Sequence, residues 1–197
     1  MILLKIDNLI IAETHYDEFA ETIELTRRAF WDLFQPGCDE HLLLARLRES
    51  ACYIPELDMV AIEAGVIVGH ALATVAAVKC VVPCADGSLL EKGGVCAGCR
   101  VICVGPVSVL PEKQKEGIGC KLLYHLLERA DELGYDAAFL YGHPEYYPRF
   151  GFVNAKRYGI TTRDGQNFDA FMALELSPGA LSGITGRFVE DDAFHVT

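Results

Sequence analysis

The run from Arg100 to Tyr141 constrains this chain most. Arg100–Leu110, RVICVGPVSVL, is an apolar segment rich in β-branched residues, and Asp136–Tyr141 is a second, shorter one. Between them Ile118, Leu122, Leu123, Leu126, Leu127, Ala130 and Leu133 mark a single apolar face at helical spacing, and Gly134 stands where a C-cap glycine belongs. A strand, a crossover helix and a second strand predict two parallel neighbours in a sheet, because parallel strands need a crossover connection. Gly105-Pro106 falls in mid-strand, and proline cannot donate to a ladder, so the first strand is expected to bulge or splay there.

The flanking segments read as further helices and strands. Residues ETHYDEFAETIELTRRAFWDLF predict an amphipathic helix that starts at Thr14, with Asp17 as its capping partner and Phe19, Ile23, Thr26, Phe30 and Leu33 on one face. Asp39 is placed to cap a shorter helix carrying Leu43, Leu44 and Leu47, which ends before Pro55. Residues 58–79, broken at Gly65, predict a hairpin with a long second strand containing His70. A lone histidine in such a strand reads first as a hydrogen-bonded core residue. Pro83, Asp86-Gly87 and Gly93-Gly94 predict an irregular or hairpin insertion. A brief helical or turn segment is expected around Pro144 to Phe150 and a strand near Phe168 to Leu176; the tail from Pro178 shows no clear periodicity.

Length and composition narrow the class. The 197 residues fit one domain, 1–197, and 51% hydrophobic content is too apolar for a disordered chain. Asp plus Glu number 28 against 17 Lys plus Arg, a net charge of −11, and the longest basic cluster is Arg27-Arg28. A polyanion footprint needs clustered positive charge, so neither nucleic acid nor an anionic membrane is expected as a partner. The start, MILLKIDNLI, does not read as a signal peptide, and the apolar run from Ala64 to Val78 is interrupted by His70 and Thr74 and shorter than the roughly 20 residues a membrane helix needs. A cytoplasmic protein with reduced thiols is the expectation. Of 8 cysteines, Cys80, Cys84, Cys96, Cys99 and Cys103 crowd one stretch. Their spacing is compatible with zinc, but a core of this size needs no metal staple, and they are expected to be small apolar fillers with no metal bound.

The loop Gln114-Lys115-Glu116-Gly117-Ile118-Gly119 precedes the regular helix. Glycines there allow a close backbone approach, and the helix start offers unpaired N–H groups with partial positive charge, an arrangement suited to phosphate. A Walker A sequence is absent, and a dinucleotide G-x-G-x-x-G fails because Leu122 stands at its third glycine.

Gln114, Gly117 and Gly119 match the [Q/R]-x-x-G-x-[G/A] pyrophosphate loop, and Val107, Val109 and Pro111 precede it in the V-x-V-x-P order. Tyr146-Tyr147-Pro148-Arg149-Phe150-Gly151-Phe152 looks like a Y-x-x-x-G-F segment. Together these resemble the GNAT superfamily of acetyl-CoA-dependent N-acetyltransferases, and in particular its small YhbS-like bacterial branch. The resemblance is tight from Val101 to Phe152 and loose over residues 1–79. The cysteine-bearing insertion has no counterpart.

The resemblance implies an α/β fold with a mixed, mostly antiparallel sheet, splayed at a parallel pair and flanked by helices. It implies acetyl-CoA as co-substrate, held by Val107, Ser108 and Val109 and by Gln114, Lys115, Glu116, Gly117, Ile118, Gly119 and Cys120. A small-molecule or peptide amine would attack directly, and Tyr147 would supply a proton to the departing sulfur. A homodimer is compatible with this reading. No base is singled out: His143, Glu145, His70 and Glu63 are candidates. The competing expectation is a non-catalytic acyl-CoA-binding or regulatory module on the same fold.

Overall fold

The computed structural model describes residues 2–6, 8–33, 36–83, 89–95 and 99–195. The elements are β1 (Ile2–Ile6), β2 (Leu9–Glu13), α1 (Phe19–Phe30), α2 (Glu40–Glu49), β3 (Tyr53–Glu63), β4 (Val66–Pro83), β5 (Leu89–Val95), β6 (Val101–Val109), α3 (Ile118–Glu132), β7 (Ala137–Tyr141), β8 (Val153–Asn154), β9 (Ile160–Thr161), β10 (Phe171–Glu175) and β11 (Gly186–Val189). Strand pairing is mixed and mostly antiparallel, with β6 and β7 parallel. Two compact units form: Met1–Thr74, Val104–Arg129 and Asp192–Thr197 make one, and Val75–Cys103 and Ala130–Asp191 make the other. The boundaries fall inside β4, β6 and α3.

In the first unit β1 to β4 form an antiparallel meander, in which β2 runs against β1 and β3. The β3–β4 hairpin turns through Ala64 and Gly65, both at positive φ (50° and 80°), the geometry a two-residue hairpin loop requires. Leu110 N donates to Val68 O (3.0 Å), which lays the end of β6 beside β4. The alternation along β4 sends Gly69 and Leu72 to opposite faces. A methyl group at Gly69 would stand 2.9 Å from Leu122 and 3.1 Å from Ile118 of α3, so only glycine lets that helix settle on the strand. Leu72 packs with Leu44 and Leu47 of α2, all fully buried, and Phe194 joins them from the tail.

Two expectations about α1 are corrected. A single 3-10 turn, Tyr16–Glu18, precedes it, and the capping partners are His15 and Glu18, with His15 N donating to Glu18 Oε2 (2.7 Å). Thr14 N is committed instead to Asp58 O (2.8 Å). The face α1 buries is Thr22, Leu25 and Thr26, and Leu33 lies past its end, 58% exposed. Both threonines can be buried because their hydroxyls are satisfied: Thr22 Oγ1 donates to Phe19 O (3.0 Å), and Thr26 Oγ1 accepts from Ser108 (3.0 Å). Thr26 lies on the face expected from sequence; Thr22 does not, because an apolar count does not register it.

In the second unit β6 and β7 pair through Val101↔Ala137, Ile102↔Ala138 and Cys103↔Phe139, the predicted parallel pair. Strand β7 pairs with β10, and β10 with β8. Phe139, Phe171 and Phe188 stack at 4.5–6.0 Å between ring centroids and fill the core. The insertion is a hairpin of the end of β4 with β5, Lys79↔Val95 to Pro83↔Leu89; its tip, including Cys84, lies outside the described residues. The tail contributes a strand not expected from its pattern: β11 pairs with β4 from Gly186↔Cys80 to Val189↔Ala77. A methyl group at Gly186 would collide with the Lys79 carbonyl, so glycine permits that approach.

Candidate active site

The loop at the head of α3 has the geometry its glycines suggest. Lys115 and Gly117 both take the left-handed conformation (φ 68° and 82°), which turns the chain sharply into α3. Lys121 N donates to Gly117 O (3.1 Å), leaving the amides of Ile118, Gly119 and Cys120 ahead of that first helical bond. Gln114 Nε2 donates to Val109 O (3.2 Å), so its side chain fastens the loop to the end of β6. Ser108 is 1% exposed and its hydroxyl donates to Thr26 of α1, whereas Val107 and Val109 are half-buried. Lys113 next to the loop pairs with Glu63 (2.5 Å) and Glu116 (3.7 Å). Glu63, a base candidate from sequence, is thus engaged by a lysine.

Another base candidate, His70, is wholly buried in the first unit. Its Nε2 lies 2.8 Å from Asp58 Oδ1 and 3.1 Å from Arg48 Nη2. Arg48 donates to both Asp58 oxygens (2.8 and 3.1 Å), and Tyr53 donates its phenolic proton to Asp58 Oδ2 (2.9 Å). Burial alone would raise the Asp58 pKa, but the hydrogen bonds and positive charge around it outweigh burial and hold it well below the usual carboxylate range. Burial pushes His70 below its ordinary value against the pull of Asp58. The ring is therefore neutral, with its proton on Nε2 facing the carboxylate. His70 Nδ1 is buried with no partner among the described residues. Asp58, Arg48 and Tyr53 escape motif reading because they come from β3 and α2 and meet only in the fold. The one signal of them is Asp58 at the head of the apolar run from Met59 to Ile62.

In the second unit the segment after β7 folds into a tight aromatic turn. Tyr147–Phe150 is a 3-10 turn closed by Gly151 at φ 94°. The Tyr147 ring meets Tyr146 edge-on at 5.1 Å and Phe152 at 5.9 Å. It rests on Gly142, where even a methyl group would collide with it. Its hydroxyl has no hydrogen-bond partner among the described residues, and burial raises the phenol's pKa, so it stays protonated. The remaining candidates, His143 and Glu145, are exposed and line an open pocket of about 430 Å³ with Tyr146 and Arg149. Arg149 stacks on the Tyr146 ring (4.5 Å).

The cysteine expectation needs one correction: Cys80 is disulfide-bonded. Cys99 and Cys103 are not in disulfides, and burial pushes Cys103 well above its ordinary pKa. Cys84 and Cys96 lie outside the described residues. Among the described residues no group of three or more His, Cys, Asp or Glu side chains could hold a metal ion, and no helix is long and apolar enough to cross a membrane.

A crossover helix headed by a glycine loop and an aromatic turn after the second parallel strand mark this α/β fold. Residues 97–155 match the acetyltransferase (GNAT) domain family. The chain is 33% identical over 139 residues to the uncharacterized N-acetyltransferase YjhQ of Escherichia coli; the match takes in 71% of this chain and 66% of YjhQ, just under two thirds of that relative. The fold superposes on the CoA complex of YhbS, a GNAT family N-acetyltransferase from Escherichia coli, with a TM-score of 0.77 at 24% identity, covering 96% of this chain and 93% of that one. It superposes also on a GNAT family acetyltransferase from Brucella melitensis in complex with acetyl-CoA (TM-score 0.70, 27% identity, 94% and 97% covered). The chain thus carries a GNAT acetyltransferase match over residues 97–155 and shares its fold with GNAT family acetyltransferases.

Proposed function

We propose that the protein transfers the acetyl group of acetyl-CoA to a primary amine by direct attack. The observation that carries this reading is the loop from Gln114 to Gly119, where two left-handed residues turn the chain so that the amides of Ile118 and Gly119 lead α3. Those amides suit a pyrophosphate despite a chain charge of −11, because backbone dipoles do not enter the formal count. The assigned holding groups are the backbone of Val107, Ser108 and Val109 for the pantetheine and thioester carbonyl, and Gln114, Lys115, Glu116, Gly117, Ile118, Gly119 and Cys120 for the pyrophosphate. An N–H aimed at the carbonyl oxygen stabilises the oxyanion that forms when the amine adds.

In the reaction a C–N bond forms and the C–S bond breaks. The departing thiolate takes the phenolic proton of Tyr147, and the phenolate recovers one from the acetylated nitrogen. Two properties of Tyr147 support its role: burial keeps the phenol protonated, and its hydroxyl is not committed to another group among the described residues. A positioned donor of this kind contributes typically 10²–10⁴-fold. The acceptor is a small-molecule or peptide amine.

The test pairs calorimetry of CoA binding with an acetyl-CoA consumption screen over diverse amines. Binding together with acetylation of at least one amine supports the reading. Binding with no turnover on any amine replaces it with the acyl-CoA-binding module. No binding at millimolar CoA overturns both.

A further inference from the structure

The acetyl-transfer reading leaves one chemical need unassigned: an ammonium must lose a proton before it can attack. Strand β6, VICVGPVSV, carries no titratable side chain except Cys103. A neighbouring element can supply the group, and within the first unit β4 lies hydrogen-bonded beside β6. Leu110 N donates to Val68 O (3.0 Å), and a methyl group at Gly69 would be 3.2 Å from Ser108 O. His70 therefore stands one strand, about 4.8 Å, from the Val107–Val109 backbone.

The state of His70 fits the need. Asp58 fixes the tautomer by accepting a hydrogen bond from Nε2–H, and Arg48 and Tyr53 fix Asp58 in turn. Nδ1 is left as a buried lone pair with no partner among the described residues, and a buried acceptor without a donor costs about 1–3 kcal/mol. The charged and titratable groups hydrogen-bonded around this ring are Asp58 and Tyr53 of β3 and Arg48 of α2. Asp58 is the one that stabilises an imidazolium.

We propose that His70, oriented by Asp58, receives the proton of the attacking ammonium at Nδ1 through one bridging water. An N–H bond of the ammonium breaks and an Nδ1–H bond forms, giving an imidazolium that Asp58 attracts and Arg48 opposes; the freed lone pair attacks the thioester, and His70 later returns its proton to solvent. The inference rests on the acetyl-transfer reading of the same chain.

The test uses His70→Gln. Its side-chain amide still donates to Asp58 but cannot take a proton. The expected result is a 10²–10⁴-fold lower kcat/KM at neutral pH, loss of the acid limb of the pH profile, and a CoA dissociation constant within twofold of wild type. A folded variant that acetylates within threefold of wild type with an unchanged pH profile overturns the inference and leaves the acetyl-transfer reading standing. Lack of turnover by the wild-type protein on every amine removes both. If the variant fails to fold, ¹⁵N NMR of the wild-type histidines decides. His70 must hold its proton on Nε2 at neutral pH and gain one on Nδ1 in acid; a proton on Nδ1 at neutral pH refutes it.

Discussion

Replacing Gly142 with alanine perturbs Tyr147 without altering its phenol. Gly142 is tied down by its amide, which donates to Ala170 O (2.9 Å), so the backbone cannot easily retreat. The new methyl would stand 2.6 Å from Tyr147 Cδ2, closer still to Cε2, and 2.9 Å from Leu140 Cδ1. Carbon atoms sit comfortably at about 3.5–4.0 Å, so the ring must shift by about 1 Å or more. Overpacking of this kind costs about 1–3 kcal/mol of stability. A displacement of about 1 Å at a catalytic group can cost 10²-fold, so Gly142→Ala is expected to lower kcat by about that factor while CoA affinity holds. Steady-state acetylation and calorimetry on the same preparation measure both. If Gly142→Ala stays folded and acetylates at the wild-type rate, Tyr147 does not need its position, and its assignment as proton donor is wrong.

Other variants probe the remaining parts. Tyr147→Phe keeps the ring contacts and removes the proton, so kcat should fall about 10²–10⁴-fold with unchanged CoA binding; an unaltered rate argues for the binding module. Arg48→Met strands the buried Asp58 carboxylate, and loss of one partner of such a pair costs about 3–5 kcal/mol, readable by urea unfolding; a loss under about 1 kcal/mol would show that Asp58 is not held by Arg48. Gly117→Ala must hold alanine at φ 82°, a strain of about 1–2 kcal/mol, and should weaken CoA binding about tenfold, although the methyl itself meets nothing within 4 Å.

The pH dependence of stability follows from two depressed pKa values. The unfolded chain protonates His70 near pH 6.5, whereas the folded chain resists. That contribution is present above about pH 6.5 and is lost as pH falls from there toward the folded value. Asp58 adds a second loss below about pH 3.9, because its carboxyl is also depressed in the fold. Unfolding free energy should therefore decline on acidification, and the fall beginning near pH 6.5 should disappear in His70→Gln. A wild-type curve flat from pH 7 to 5 contradicts the buried neutral histidine.

What the chain reveals by inspection follows from local periodicity. Ile118 to Leu133 repeats at helical spacing for four turns, and Gly134 ends it, so α3 and the parallel strands on either side are legible. The loop and the Tyr147 segment are legible as fixed spacings. Strands β1, β2 and β11 are not, because short apolar pieces gain their meaning from partners distant in sequence: β2 from β3, and β11 from β4. The inward face of α1 is legible at Thr26 but not at Thr22, whose hydroxyl is satisfied by the Phe19 carbonyl. His70 is legible as a core histidine, but its partners are not, since Asp58 and Arg48 lie 12 and 22 residues away and meet it only after β3, β4 and α2 pack. Gly142 shows its purpose only once the Tyr147 ring is seen lying on it.

The proposed reaction is acetylation of an amine at the expense of acetyl-CoA. The most direct measurement follows free CoA thiol and amine mass together while the purified protein is incubated with acetyl-CoA and a mixed amine panel. The account predicts one acetyl group gained by an amine for each thiol released, with CoA itself binding in calorimetry. Failure of CoA to bind at millimolar concentration would contradict it.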